Sequence, residues 1–317
     1  MKRILLAALL LVLCSIGSSR ENPEPGQGFI NVPGGPVWYK VTGSGPGIPL
    51  LTLHGGPGGT SCGYSRLETL GNERPIVRYD QLGAGRSGRP DDPSLWQVSR
   101  FVEELHVVRQ ALGLEQMHLL GHSWGGALAA AYVLDKGTDG IASVVFSSPL
   151  LSTRLWIEDA NFLRSQLPED VQQTLTEHEE AGTTDSEEYQ AASEVFYERH
   201  VSGGPRSKHP AACDGAPWSQ FVYETMWGPT EFHATGTLLE FDVTDRLQEI
   251  DVPVLFIAGQ FDEARPERVA EFQKLIPGSK LTVILDAAHE TLSKKPDEYR
   301  NVIEAFFDAV EDKKRHE

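Results

Sequence analysis

Cationic side chains are scarce in this chain: 28 Lys and Arg stand against 45 Asp and Glu, a net charge of −17 over 317 residues. Binding a phosphate backbone relies on clustered Lys and Arg that displace counterions, so this balance argues against a nucleic-acid partner. Cysteine is nearly absent. Neither Cys62 nor Cys213 has zinc-ligand spacing to a His or another Cys, so no metal site is expected. The chain also lacks a GxGxxG fingerprint and a P-loop lysine, which leaves a nucleotide site unsupported, and no organic cofactor is expected. No internal repeat or low-complexity block interrupts it, although Glu177 to Glu188 is acidic and reads as a solvated loop or helix edge.

Long apolar runs are missing too. Ile4 to Ile16 falls short of the roughly 20 residues that span a bilayer. With Met1-Lys2-Arg3 before it and Gly17-Ser18-Ser19 after it, residues 1–19 have the three regions of a secretory signal peptide, cleaved near Ser18 or Ser19. A secreted or periplasmic protein without stable membrane insertion is the expectation, a membrane anchor the lesser alternative. Cys62 and Cys213 then remain, and an oxidising compartment would allow them to pair; pairing stays open at this point, as does oligomeric state.

The rest is an ordinary soluble composition, 40% hydrophobic and 23% charged, long enough for one large core and an insertion. Short apolar strands alternate with glycine-rich turns and helices from Phe29 to Ser148. Strands are expected at Val37 to Val41, Pro49 to Leu53, Ile76 to Tyr79, Met117 to Leu120 and Ala142 to Phe146. Phe101, Leu105, Val108 and Leu112 recur at helical spacing with Gly113 as a stop, the stripe of a core-packing helix. Helical periodicity without strand alternation fills 151–239. Strands return at Pro253 to Ile257 and Leu281 to Leu285, followed by a helix from about Pro296 to Ala309. The expected fold is α/β with a mostly parallel sheet, its core (28–150 and 240–315) interrupted by a helical cap (151–239) suited to substrate selection.

The pentapeptide Gly121-His122-Ser123-Trp124-Gly125 lies where the strand ending at Leu120 runs into a small-residue helix, Gly125 to Val133. Such a sharp strand-to-helix turn needs small flanking residues and lifts the serine oxygen clear of the sheet, which makes Ser123 a candidate nucleophile. A serine hydroxyl requires a base, and the base requires a group that fixes its tautomer. In the Ser, acid, His chain order, only His289 and His316 lie beyond the returning strands, and His316 is in the charged tail. His289 follows the strand ending at Leu285, and Asp262 follows the strand ending at Ala258. His122 leaves the elbow in the wrong direction and reads as a packing residue. His54-Gly55-Gly56-Pro57-Gly58-Gly59 follows another strand, and its glycines allow a backbone N–H to approach a reacting carbonyl, so Gly56 and Trp124 N–H are the expected oxyanion hole.

Together HGGPGG at His54 to Gly59, DQLGAGRS at Asp80 to Ser87, GHSWGG at Gly121 to Gly126, GPTEF at Gly228 to Phe232 and GQFDE at Gly259 to Glu263 resemble the proline iminopeptidases of the α/β-hydrolase fold, most closely the tricorn-interacting aminopeptidase branch. The resemblance covers nearly all of the chain after the leader. It implies a serine enzyme that removes an N-terminal residue, often proline, from short peptides or amino-acid amides. It also implies that Glu231, Glu263 and Tyr223 hold the substrate α-ammonium. Alternatives are an amino-acid amidase or a general esterase without a free-amine requirement, and a non-catalytic binding module.

Overall fold

The computed structural model describes residues 22–204, 213 and 215–316; the leader expected over 1–19 lies outside them. Eight strands form one sheet: β1 (Gly26–Val32), β2 (Gly35–Thr42), β3 (Leu50–Leu53), β4 (Ile76–Tyr79), β5 (Met117–His122), β6 (Ile141–Ser147), β7 (Val254–Gly259) and β8 (Lys280–Ile284). Their spatial order is β1-β2-β4-β3-β5-β6-β7-β8. From β4 to β8 every pairing is parallel, and the β1–β2 hairpin joins one edge antiparallel. A parallel strand is buried on both faces and therefore needs an apolar residue at nearly every position. β6 meets that requirement, with all of Ile141–Ser147 buried. Successive residues feed opposite layers, as the two-residue period of a strand demands. Leu51, Leu119, Val144 and Phe256 join one core, while Leu50, Leu120, Val145 and Leu255 join the other.

Helices α1 (Val98–Ala111) and α2 (Trp124–Lys136) cover the first of these layers. The cap holds α3 (Thr153–Arg164), α4 (Glu169–Ala181), α5 (Glu187–Phe196) and α6 (Gln220–Met226). The chain then supplies α7 (Pro266–Leu275), α8 (Thr291–Lys294) and α9 (Pro296–His316), the last burying Tyr299, Ile303, Phe306 and Phe307 against the second layer. Cap helices start cleanly because Ser152, Ser186 and Ser219 each accept a first-turn N–H on the side chain. The cap has its own small core of Leu163, Leu167, Leu175, Tyr189, Phe196 and Phe232. The acidic stretch Glu177 to Glu188 closes α4 and opens α5.

Two features differ from the sequence expectation. β1 was not expected: its GQGFINV sequence is glycine-rich and half exposed, and it is held as an edge strand by pairing with β2 rather than by burial. The last helix runs on to His316, past the expected Ala309. The open question of the two cysteines resolves into a Cys62–Cys213 disulfide, which ties the cap to the segment just after the HGGPGG loop. That loop is also stitched to the cap by Ser219 N–H donating to Gly58 C=O at 2.9 Å. Among the described residues no helix is long and apolar enough to cross a membrane.

Candidate active site

Ser123 occupies the junction between β5 and α2 with φ 56° and ψ −122°, a strained conformation for a residue with a side chain. The flanking glycines are steric necessities. A Cβ on Gly121 would lie 2.1 Å from Gly125 C=O, and one on Gly125 would lie 2.0 Å from the Leu53 C=O of the neighbouring strand. Ser123 is held by its N–H to Ser147 C=O (3.0 Å) and by Gly126 N–H donating to its carbonyl (2.8 Å).

Asp262 and His289 follow β7 and β8, so all three groups emerge from the carboxyl end of the sheet, where open α/β folds build their sites. His289 Nδ1 faces Asp262 Oδ1 at 2.8 Å, which leaves Nε2 for the serine. Asp262 also accepts from Ala264 N–H (2.9 Å), Gly259 N–H (3.0 Å) and Ser148 Oγ (2.6 Å). Burial alone would lower the His289 pKa, but Asp262 outweighs it with help from Glu231, and the net direction is up. Among the described residues no hydrogen bond joins Ser123 to His289, a contact that commonly tightens only when substrate is bound. His122 lies against His289 with ring centroids 4.6 Å apart. Burial, then the neighbouring His289, push its pKa down to about 3, so it packs as a neutral ring.

Gly56 has φ +116°, and a Cβ there would meet the backbone of Gly59 at 2.6 Å. No hydrogen bond among the described residues uses the Gly56 or Trp124 N–H, which leaves both free to donate. The two donors are fixed through Gln81, which accepts from Trp124 Nε1 (2.8 Å), donates its side-chain amide to His54 C=O (3.0 Å) and donates its N–H to His54 Nε2 (2.9 Å). The DQLGAGRS motif thus splices the elbow to the HGGPGG loop.

Beside the triad lies a second set of acids. Glu263 is 2% exposed, neither carboxylate oxygen has a hydrogen-bond partner, and Oε1 is 3.7 Å from His289 Nε2. Burial, then Glu231, hold its pKa well above the ordinary value. Burial also raises Glu231, which reaches the same region from the cap. Its loop is fixed by Trp156 Nε1 donating to Glu231 C=O (2.9 Å) and by Glu231 N–H donating to the Tyr197 hydroxyl (3.4 Å). The buried Tyr223 hydroxyl faces Glu231 without a well-formed hydrogen bond, and burial raises its pKa strongly. The three residues assigned to the ammonium by resemblance therefore share one electrostatic neighbourhood, in which each perturbs another.

Sequence reasoning missed Ser148, Gln81, Tyr197 and His200. Ser148 directly follows the fully buried β6, and the carboxyl end of such a strand is a signal that could have flagged it. Gln81 lies inside the DQLGAGRS motif, where its sequence position alone gives it no role. Tyr197 and His200 carried no local signal.

Residues 48–296 match the alpha/beta hydrolase fold family. The proline iminopeptidase of Heyndrickxia coagulans is 46% identical over 90% of this chain and 99% of its own length. The solved structure of the proline iminopeptidase of Mycobacterium smegmatis superposes with a TM-score of 0.80 at 35% identity, covering 90% of this chain and 98% of that one. That of VinJ gives 0.84 at 34% identity, covering 90% and 100%. By sequence and by architecture, this chain belongs to the proline iminopeptidase family of α/β-hydrolases.

Proposed function

We propose that the chain is a serine aminopeptidase that releases N-terminal proline from short peptides or amino-acid amides through an acyl-enzyme. Ser123 attacks the carbonyl and His289 takes its proton and passes it to the leaving amine. Asp262 holds the imidazole tautomer and stabilises the imidazolium. The Gly56 and Trp124 N–H groups receive the oxyanion. Glu231 and Glu263, with Tyr223, hold the substrate ammonium at a fixed distance from Ser123, which restricts cleavage to the first residue. The observation that carries the amine requirement is Glu263, buried beside the base with no hydrogen bond at either oxygen. Unpaired acids are costly to bury, and a cationic ligand removes that cost. Export is part of the proposal, supported by the leader-like residues 1–19 and by the Cys62–Cys213 disulfide, a bond suited to an oxidising compartment.

Hydrolysis of prolyl-nitroanilide beside its N-acetylated counterpart tests this reading. The free-amine substrate alone should turn over, and Ser123→Ala should abolish turnover. Equal turnover of the acetylated substrate would sink the amine anchor and leave a general esterase or amidase.

A further inference from the structure

The C-terminal end of α5 does not stop as an ordinary helix. It widens into a π-helical turn, Tyr197–Val201, closed by Ser202 N–H donating to Tyr197 C=O, five residues back, at 2.8 Å. Such bulges are rare and concentrate at functional sites. A helix end leaves its last carbonyls without partners inside the helix, and here the donors come from the active-site loops. His200 C=O accepts two N–H groups at once, from Glu263 at 3.2 Å and from His289 at 3.1 Å. Val201 C=O accepts Glu290 N–H at 2.9 Å. His200 Nδ1 reaches Phe261 C=O at 3.1 Å, and the Tyr197 hydroxyl accepts Glu231 N–H. Behind the turn, Gly203 (φ +64°) brings the chain so close that a Cβ would stand 3.2 Å from the Ala288 methyl.

One turn of the cap thereby contacts the backbone of the loops that carry His289, Glu263 and Glu231. We propose that His200 is a positioning residue whose backbone carbonyl, shared between the Glu263 and His289 N–H groups, fixes the spacing between the catalytic base and the amine anchor. The two bonds have different consequences. Slack at His289 misplaces the base, and small misplacements at the reacting centre are costly in rate. Slack at Glu263 loosens the ammonium site. A cap contact that served only stability would move neither. The argument rests on the aminopeptidase reading for the role of Glu263, but not for the role of His289.

The test weakens one carbonyl. Replacing Val201 by its α-hydroxy analogue turns the 200–201 peptide into an ester, whose carbonyl is a poorer acceptor. The matching ester at 199–200 weakens the Arg199 carbonyl, which accepts no hydrogen bond from a site loop among the described residues, and serves as control. With the 200–201 ester, kcat for prolyl-nitroanilide should fall about tenfold or more, KM should rise several-fold, and fluorophosphonate labelling of Ser123 should slow by the same factor as kcat. The control should keep both constants within about twofold. Unchanged kcat and KM in a folded 200–201 ester, or an equal loss in the control, would overturn the proposal. Labelling reads the His289 half alone. If the wild-type protein labels normally but ignores prolyl-nitroanilide, the aminopeptidase reading fails and labelling still decides the positioning claim.

Hydrogen exchange on the unmodified protein needs no variant. The Glu263 and His289 amides should both be protected and should open together, since one acceptor serves both. Free exchange of either amide would overturn the proposal.

Discussion

Asp262 and Glu263 are neighbours in the chain and equally hidden, 1% and 2% exposed, yet the protein treats the two halves of the site they serve in opposite ways. The Asp262 carboxylate is surrounded by two backbone N–H groups, the Ser148 hydroxyl and the His289 ring. Glu263 has no hydrogen-bond partner at either oxygen, and a second raised carboxyl, Glu231, lies near enough to push its pKa further up. Fully satisfied buried charge belongs to machinery kept in one state throughout turnover. A buried carboxylate without a hydrogen-bond partner suits a receptor whose missing partner is the ligand. Under the proposed function, the contrast separates the acid that organises chemistry from the acid that selects substrate.

The largest effect expected from breaking this contrast is on the satisfied side. Asp262→Asn keeps the shape but removes the charge that fixes the His289 tautomer, and kcat should fall by about 10⁴-fold with KM nearly unchanged. Steady-state kinetics on prolyl-nitroanilide measure this. A loss below about tenfold would mean that His289 is held by something other than Asp262.

On the unsatisfied side the effect should be smaller and should fall on binding. Glu263→Gln should lower kcat/KM for the free-amine substrate by about 10²-fold, chiefly through KM, because one charge-assisted contact to the ammonium is lost. Stability should move the other way from an ordinary active-site lesion. The folded pKa of Glu263 is raised, so its contribution to stability is fully present below the unfolded value near 4.5 and is lost as pH rises through the folded pKa. Wild-type Tm should therefore decline above pH 4.5 more steeply than that of Glu263→Gln. At pH 8 the variant should be the more stable by about 1–2 kcal/mol, a few degrees for a chain of this size. Parallel Tm curves for the two proteins would contradict the unpaired-acid reading.

The sheet and the triad side of this division were legible in the sequence. The sheet was readable because parallel strands buried on both faces must be largely apolar runs, as in Ile141 to Phe146, and β1 escaped because an edge strand carries no such demand. Ser123, Asp262 and His289 each stand just past such a run, a placement that chain order alone can indicate. Glu231 and Glu263 came only from the resemblance, since a buried acid and a surface acid look alike in one sequence. Ser148, with φ 47°, and the shared carbonyl of His200 depend on tertiary approach between segments more than 50 residues apart, for which local pattern holds no signal.

The pH profile of binding sharpens the comparison further. The raised pKa of both Glu231 and Glu263 means that the free pocket takes up protons as pH falls, and a proton and an ammonium compete for the same carboxylates. KM for prolyl-nitroanilide should rise by up to about tenfold per unit as pH drops below the raised carboxyl range, and rise again above about pH 8 as the substrate amine loses its charge. Glu263→Gln should flatten the acid limb of KM and leave the base limb. A wild-type KM without an acid limb, or one whose acid limb survives unchanged in Glu263→Gln, would remove the competition.

The smallest effect is expected at Ser148. Its hydroxyl is one of several donors to Asp262, held in place by a left-handed backbone at φ 47°. Ser148→Ala leaves Asp262 bound to Gly259 N–H, Ala264 N–H and His289, so the carboxylate stays satisfied at one oxygen and singly bonded at the other. The loss should be about 1 kcal/mol of stability and no more than about tenfold in kcat, with KM for the free-amine substrate unchanged, because the amine pocket is untouched. A KM effect as large as that of Glu263→Gln would mean that the two carboxylates are mechanically linked through the 262–263 peptide, and that satisfaction of one sets the position of the other.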